Sequence, residues 1–210
     1  MRKALCPVLL ALSVAACTSG SGVRGDESRS PGDFDSIDVG GPFRVEVVVG
    51  ESTAVSVSGD DNVVPKVRTE VDGSRLHVDL PGRVMTDLPL TVTIATPTLV
   101  ELDAGGASTV TISGVQAENF EVDLSGASQA TIRGQSEALE VDVSGASQLH
   151  AKDLSAAKVD VEASGASKVS VTATREVDVD ASGASTINVH GNPGTVSKDA
   201  SGASKIHVGS

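Results

Sequence analysis

The sequence predicts an all-β fold, a β-solenoid built from coils of about nineteen residues, and three observations carry that expectation. Ser-Gly-Ala-Ser recurs at 125–128, 144–147, 164–167, 182–185 and 201–204, with Gly-Gly-Ala-Ser at 105–108. Aligned on the central glycines (Gly106, Gly126, Gly145, Gly165, Gly183, Gly202), the intervals are 20, 19, 20, 18 and 19 residues. Apolar and polar residues alternate on both sides of each copy, as they do in half-buried strands. No proline interrupts the run between Pro97 and Pro193, as stacked strands require.

Each unit yields two strands. Positions six, four and two before the glycine are apolar in nearly every copy, for example Leu139, Val141 and Val143, or Val159, Val161 and Ala163. The alternation resumes after it in Val110-Thr-Ile112, Ala130-Thr-Ile132 and Ile187-Asn-Val189. A tight bend falls at Ser-Gly-Ala-Ser and a second turn near Gly114, Gly134 or Gly191. One such coil cannot bury its apolar side alone, whereas coils stacked at about 4.8 Å seal one another.

Stacking explains the repeated tetrapeptide. At a corner where rungs superpose, every copy meets the same steric problem and needs the same answer. Glycine opens backbone angles closed to other residues, alanine is expected to turn a small methyl inward, and the serines to bond turn amides or form hydroxyl ladders. A structural corner is the better reading than a catalytic serine: the motif lacks a strand–Ser–helix setting, and no His or acid recurs in register as its partner. In the last copy, Val196-Ser-Lys198-Asp-Ala200 places a lysine at an inward position, as expected of a terminal rung that closes an open edge.

Residues 34–96 lack the motif but keep the alternation in "FRVEVVV", "AVSVSG", "RLHVDL" and "LTVTIAT". They are expected to form the irregular first half of one domain spanning 34–210, with the regular repeats at 97–210. Residues 17–33, Gly/Ser-rich and charged, read as a flexible tether.

The first residues form a separate device. Met1-Arg2-Lys3 is basic, Ala4 to Ala16 is almost wholly apolar, and the run is too short to span a bilayer, which fits an export signal over 1–16. Val14-Ala15-Ala16-Cys17 resembles the lipobox of bacterial lipoproteins. That resemblance implies cleavage between Ala16 and Cys17 and acyl chains (palmitate among them) on Cys17, which would hold the chain to a membrane. The alternative is an ordinary secretory signal cut after Ala16, leaving Cys17 a free thiol. Thr18, not Asp, follows the cysteine; in lipoprotein families this implies the outer membrane of a diderm host, or the outer face of the plasma membrane in a monoderm. If Cys6 leaves with the signal and Cys17 is acylated, no thiol is left to form a disulfide.

Loss of Arg2 and Lys3 leaves 14 basic against 28 acidic side chains, a net charge of −14, which excludes nucleic-acid binding. The acids are ordered. Five residues before each glycine stand Glu101, Glu121, Glu140, Asp160 and Asp178; three before stand Asp103, Asp123, Asp142, Glu162, Asp180 and Asp199. Both columns are expected outward on one sheet face, where unit charges about 4.8 Å apart repel by roughly 1 kcal/mol even in a water-like dielectric. A solvated face that blocks sheet stacking is one reading. The other is a surface for divalent cations, a basic partner or a polycation. Hard carboxylate oxygens suit Ca²⁺, yet neither an EF-hand loop nor the glycine-rich nonapeptide of calcium β-rolls occurs, so no cofactor is assigned. His150 and His207 share one register several rungs apart and cannot ligate one metal; with His190 they read as surface histidines.

"FDSIDVGGPFRVEVVVGE" from Phe34, "VSGDDN", "VDGSRLHVDL", "PTLVELDAGGAS" and the later Ser-Gly-Ala-Ser units resemble the putative auto-transporter adhesin head domain, or head GIN domain, over about 34–208. The resemblance implies an exported bacterial cell-envelope protein, in many members a lipoprotein, with a right-handed parallel β-helix-like fold. It supplies no catalytic residues. The expected function is a non-enzymatic adhesin-like scaffold that binds the membrane through its lipid and presents its surface to an envelope protein or glycan. The exposed ends of a solenoid leave oligomerisation open. A polysaccharide-acting β-helix enzyme is the weaker reading, because the acids recur monotonously and no Trp or Tyr offers a sugar platform.

Overall fold

The computed structural model describes residues 18–209. The leader at 1–16, Ala16 and Cys17 lie outside them. In chain order the strands are β1 (Thr18–Ser19), β2 (Arg24–Arg29), β3 (Ser36–Gly41), β4 (Phe43–Val49), β5 (Ala54–Asp60), β6 (Arg68–Asp72), β7 (Arg75–Asp79), β8 (Val84–Met85) and β9 (Leu90–Thr96). The repeats supply β10 (Glu101–Gly106), β11 (Thr109–Leu124), β12 (Gln129–Val143), β13 (Gln148–Ala163), β14 (Lys168–Ala181), β15 (Thr186–His190), β16 (Thr195–Ala200) and β17 (Lys205–Val208). The only helical element among the described residues is a 3₁₀ turn at Val64–Lys66. The molecule is all-β, and fifteen strands join one sheet network without closing a barrel.

Pairing in the repeats is parallel and advances one Ser-Gly-Ala-Ser unit per step. Val122 pairs Val141, Val141 pairs Val161, and Val161 pairs Val179. All four are buried, in one continuous apolar cluster that runs through the molecule. The two sides of each unit extend into the N-terminal part. Before the corner the order is β10–β3–β7–β6, and after it β11–β4–β9–β5–β2. Here the irregularity takes a definite form: β5, β2 and β6 run antiparallel to their neighbours, whereas β3, β4, β7 and β9 keep the parallel sense. The second bend is a register shift inside a long strand near Gly114 and Gly134, as between Ile112 and Val115, whereas near Gly191 the chain breaks between β15 and β16 as expected.

The corner glycines have φ between +70° and +75°, the left-handed region. They also pack on one another: a Cβ on Gly145 would stand 2.5 Å from the carbonyl oxygen of Gly126. The close approach serves the backbone, because the amide of Ala146 donates to that same carbonyl at 2.8 Å.

The inward residue of the corner is the second serine, and the alanine faces solvent, contrary to the expectation of an inward methyl. Ser108, Ser128, Ser147, Ser167 and Ser185 are buried while Ala127, Ala146, Ala166 and Ala184 are exposed. Acceptors account for part of this, although Ser108 Oγ and Ser167 Oγ bond nothing. Ser128 Oγ lies 2.9 Å from the carbonyl of Ser125 and 3.0 Å from that of Ala104 one repeat earlier, which also accepts from the amide of Ser125. Ser185 and Ser204 repeat this arrangement.

The expected tether is tied down over most of its described length. β2 lies antiparallel on the edge of β5, and β1 pairs β8. An edge strand such as Arg-Gly-Asp-Glu-Ser-Arg buries almost nothing, so it carries no apolar signature to read. Its glycines serve contact and not flexibility: a Cβ on Gly25 would stand 2.7 Å from Asp61 Cα, and one on Gly20 2.5 Å from Asp60 Oδ2.

Candidate functional site

The side of the stack before the corner carries the acids. Alternation on β10 to β14 turns Leu102, Val122, Val141, Val161 and Val179 inward, so their neighbours must face out. The pairing places Glu101, Glu121, Glu140, Asp160 and Asp178 in one unbroken column and Asp103, Asp123, Asp142, Glu162, Asp180 and Asp199 in the next. Every acid expected on this face is there.

Each column lines a shallow hollow. The second column from Asp123 to Asp199, together with the exposed first serines Ser125, Ser144, Ser164, Ser182 and Ser201, borders one of about 310 Å³. The first column borders another of about 540 Å³, into which Lys158 and Glu176 also turn. A row of hydroxyls therefore runs beside a row of carboxylates at rung spacing.

Crowding shows in the acidities. Asp123 is pushed up to about 6, first by burial and then by Asp142, Glu121, Asp103 and Glu101. Burial, followed by neighbouring carboxylates, also raises Asp103, Glu121 and Asp160. Carboxylate oxygens of Glu101, Glu121 and Asp123 come within 4.8 Å of one another. Ca²⁺ takes six to eight oxygens, so this trio would fill about half a shell and leave the remainder to water.

A sequence model of the family described as putative auto-transporter adhesin, head GIN domain, matches residues 33–193. The chain belongs to this family. Crystal structures described as putative adhesins share the head GIN chain's fold. One from Bacteroides fragilis has 19% identity and a TM-score of 0.72, covering 90% of this chain and 99% of that one. One from Parabacteroides distasonis has 17% identity and a TM-score of 0.61, covering 92% and 100%. A third, from Parabacteroides merdae, has 16% identity and a TM-score of 0.57, covering 91% and 98%. No curated protein sequence matches. No helix of the described residues is long and apolar enough to cross a membrane.

Sequence reasoning missed how this head GIN domain continues its ladder into the N-terminal part. The columns continue past Glu101 and Asp103 to Ser36 and Asp38 on β3, then to Arg75 and His77 on β7. Arg75 reaches across the intervening strand to bond Glu101, and His77 Nδ1 lies 2.8 Å from Asp38 Oδ2. Arg75 and His77 thus interrupt the acidic columns, which resume at Asp72 and Glu70 on the edge strand β6. A signal was available: "SIDVGG" at 36–41 parallels "ELDAGG" at 101–106, and the two pair residue for residue. Nothing comparable marks Arg75 and His77.

The other three histidines are separate from this face. His150 and His207 share one column with Ser170 and Asn188 between them, and His190 Nε2 lies 3.0 Å from Ser170 Oγ.

Proposed function

We propose that this head GIN domain is an exported, lipid-anchored, non-enzymatic scaffold of adhesin type. In this reading the parallel stack is a right-handed β-helix of about nineteen-residue rungs, acylated at Cys17 and displayed at the cell envelope. Its acidic face is the surface offered to a protein or glycan partner. The observation that carries the reading is the unbroken pair of carboxylate columns beside a row of serine hydroxyls. Such an array suits repeated weak contacts along an extended ligand. Catalysis of polysaccharide cleavage would want two carboxylates in unlike surroundings, whereas the raised pKa values here share the same causes, burial first and then neighbouring carboxylates.

The test is an array of envelope glycans and surface proteins probed with and without Ca²⁺, with a hydrolysis screen on the same polymers. The comparison variant is D123N/D142N/E162Q/D180N. A discrete ligand bound by the native chain and lost by the folded variant supports the reading. Equal binding by both, or shortening of a polymer by the native chain alone, overturns it.

The approach of Glu101, Glu121 and Asp123 favours a second reading, a weak divalent-cation or polycation module. Millimolar Ca²⁺ should then raise the melting temperature beyond matched ionic strength in the native chain and not in E121Q/D123N. Equal shifts in both would dismiss it.

A further inference from the structure

We infer that the capped end of the stack, where β1 and β8 meet, is a membrane-contact face, so that the acidic columns rise away from the lipid. This rests on the reading of Cys17 as the acylated residue. The chain resumes its folded path immediately after that cysteine. Thr18 pairs Val84 and Ser19 pairs Met85, and the amide of Thr18 donates to the Arg83 carbonyl at 3.1 Å. The amide of Gly20 donates to the Met85 carbonyl at 2.6 Å.

Side chains staple the same segment. Asn62 Nδ2 donates to the Ser19 carbonyl at 2.8 Å, and Lys66 Nζ to Thr18 Oγ1 at 2.9 Å. The fully buried Asp60 accepts from the amide of Gly22 at 2.8 Å and from those of Asp87 and Leu88 at 3.0 and 3.1 Å, locking the segment to the loop after β8.

Reach decides the geometry. A free sixteen-residue tether would span roughly 20–25 Å and let the domain tumble. A cysteine whose neighbour is already docked has its Cα about 3.8 Å from that of Thr18, so the acyl chains hold the β1–β8 rim against the bilayer. The rim suits that position. Met85 is 67% exposed, the most exposed large apolar side chain among the described residues, and Val23, also far out at 58%, closes the same segment through its carbonyl's bond to the Asp61 amide. Lys66 stands at the rim as an exposed cation of the sign that headgroups favour. The opposite end, β16 and β17, lies roughly 40 Å away at about 4.8 Å per strand.

The chain contains no tryptophan, so a single indole gives a depth probe free of background. Full-length acylated protein carrying M85W or V196W would be reconstituted into vesicles of phosphatidylcholine and phosphatidylglycerol brominated along the acyl chains. The M85W emission should be roughly halved, since a rim side chain seats about 5–10 Å into the interface, while V196W stays unquenched. A Gly/Ser insert of about eight residues between Cys17 and Thr18 gives roughly 15 Å of slack and should abolish the M85W quenching while the protein still floats with the vesicles. Flotation without M85W quenching, or equal quenching at both positions, overturns the orientation. Failure of the native chain to float with the vesicles overturns the lipid anchor, and the orientation with it.

Discussion

At the scale of single residues, the corner glycine and the crowded carboxylate make opposite demands on the fold. Gly145 combines a φ of +73° with a backbone carbonyl in the place of any Cβ, so G145A should cost roughly 2–4 kcal/mol. A146S, one residue on but facing solvent, should change stability by less than about 0.5 kcal/mol. Chemical denaturation of the two variants checks this, and similar losses would mean that the corner is not stacked as described. Asp123 works against folding at neutral pH. Its folded pKa of about 6 lies above the ordinary 3.8, so its protonated form favours the native state. That contribution is full below 3.8 and is lost as pH rises through about 6. D123N should therefore stabilise the protein at pH 7 by about 1 kcal/mol, after discounting for solvent screening, and flatten the pH dependence between 4 and 6. Asp60 has the reverse sign. Burial alone would raise it, but the amides of Leu88, Gly22 and Asp87 hold it below the ordinary value. Its support is present above 3.8 and fails as pH falls through the lowered value. Melting curves against pH should thus peak on the acid side of neutrality and fall again in strong acid; a plateau from pH 4 to pH 8 would contradict the Asp123 assignment, and undiminished stability in strong acid that of Asp60.

At the scale of elements, stability resides in rows of aliphatic side chains shared between rungs. V141A empties space beneath Val122 and above Val161 and should cost about 2–3 kcal/mol, read from the denaturant midpoint. The last rung shows how the open edge is protected. Lys198 occupies the column of Val122, Val141, Val161 and Val179, opposite Val179, and β16 is exposed along its whole length. K198V should convert that edge into a self-pairing one, giving concentration-dependent association in sedimentation, while the native chain shows less. These elements differ in how far the sequence revealed them. The acidic columns were legible because a fixed glycine register converts spacing into stacking, and the ten column acids between Glu101 and Asp180 stand where counting put them. Strand β2 was not legible, since an edge strand held by backbone hydrogen bonds needs no apolar pattern. Nor were the roles within the corner, because serine and alanine are alike in size and nothing in the tetrapeptide marks which of them turns inward. Arg75 and His77 escaped for a third reason: outside the repeat no landmark fixes which residues of β7 continue the ladder.

At the scale of the whole molecule, two ends and one charged side make up the architecture. One end is closed by the 3₁₀ turn, where Val63, Val64 and Val67 are buried, and by the docked N-terminal segment; the other ends in an exposed rung. Between them the carboxylates form a one-dimensional lattice whose period is the strand spacing, and every functional reading depends on that lattice. It can be measured directly by pulsed electron spin resonance between nitroxide labels on a signal-free C17A background. One label would sit at Glu101 and the second in turn at Glu140, Asp160 and Asp178. Successive positions in the column should lengthen the mean distance by about 4.8 Å each, reaching roughly 19 Å at Asp178, with narrow distributions. Distances that fail to increase in even steps, or that spread over tens of ångströms, would contradict the stacked ladder.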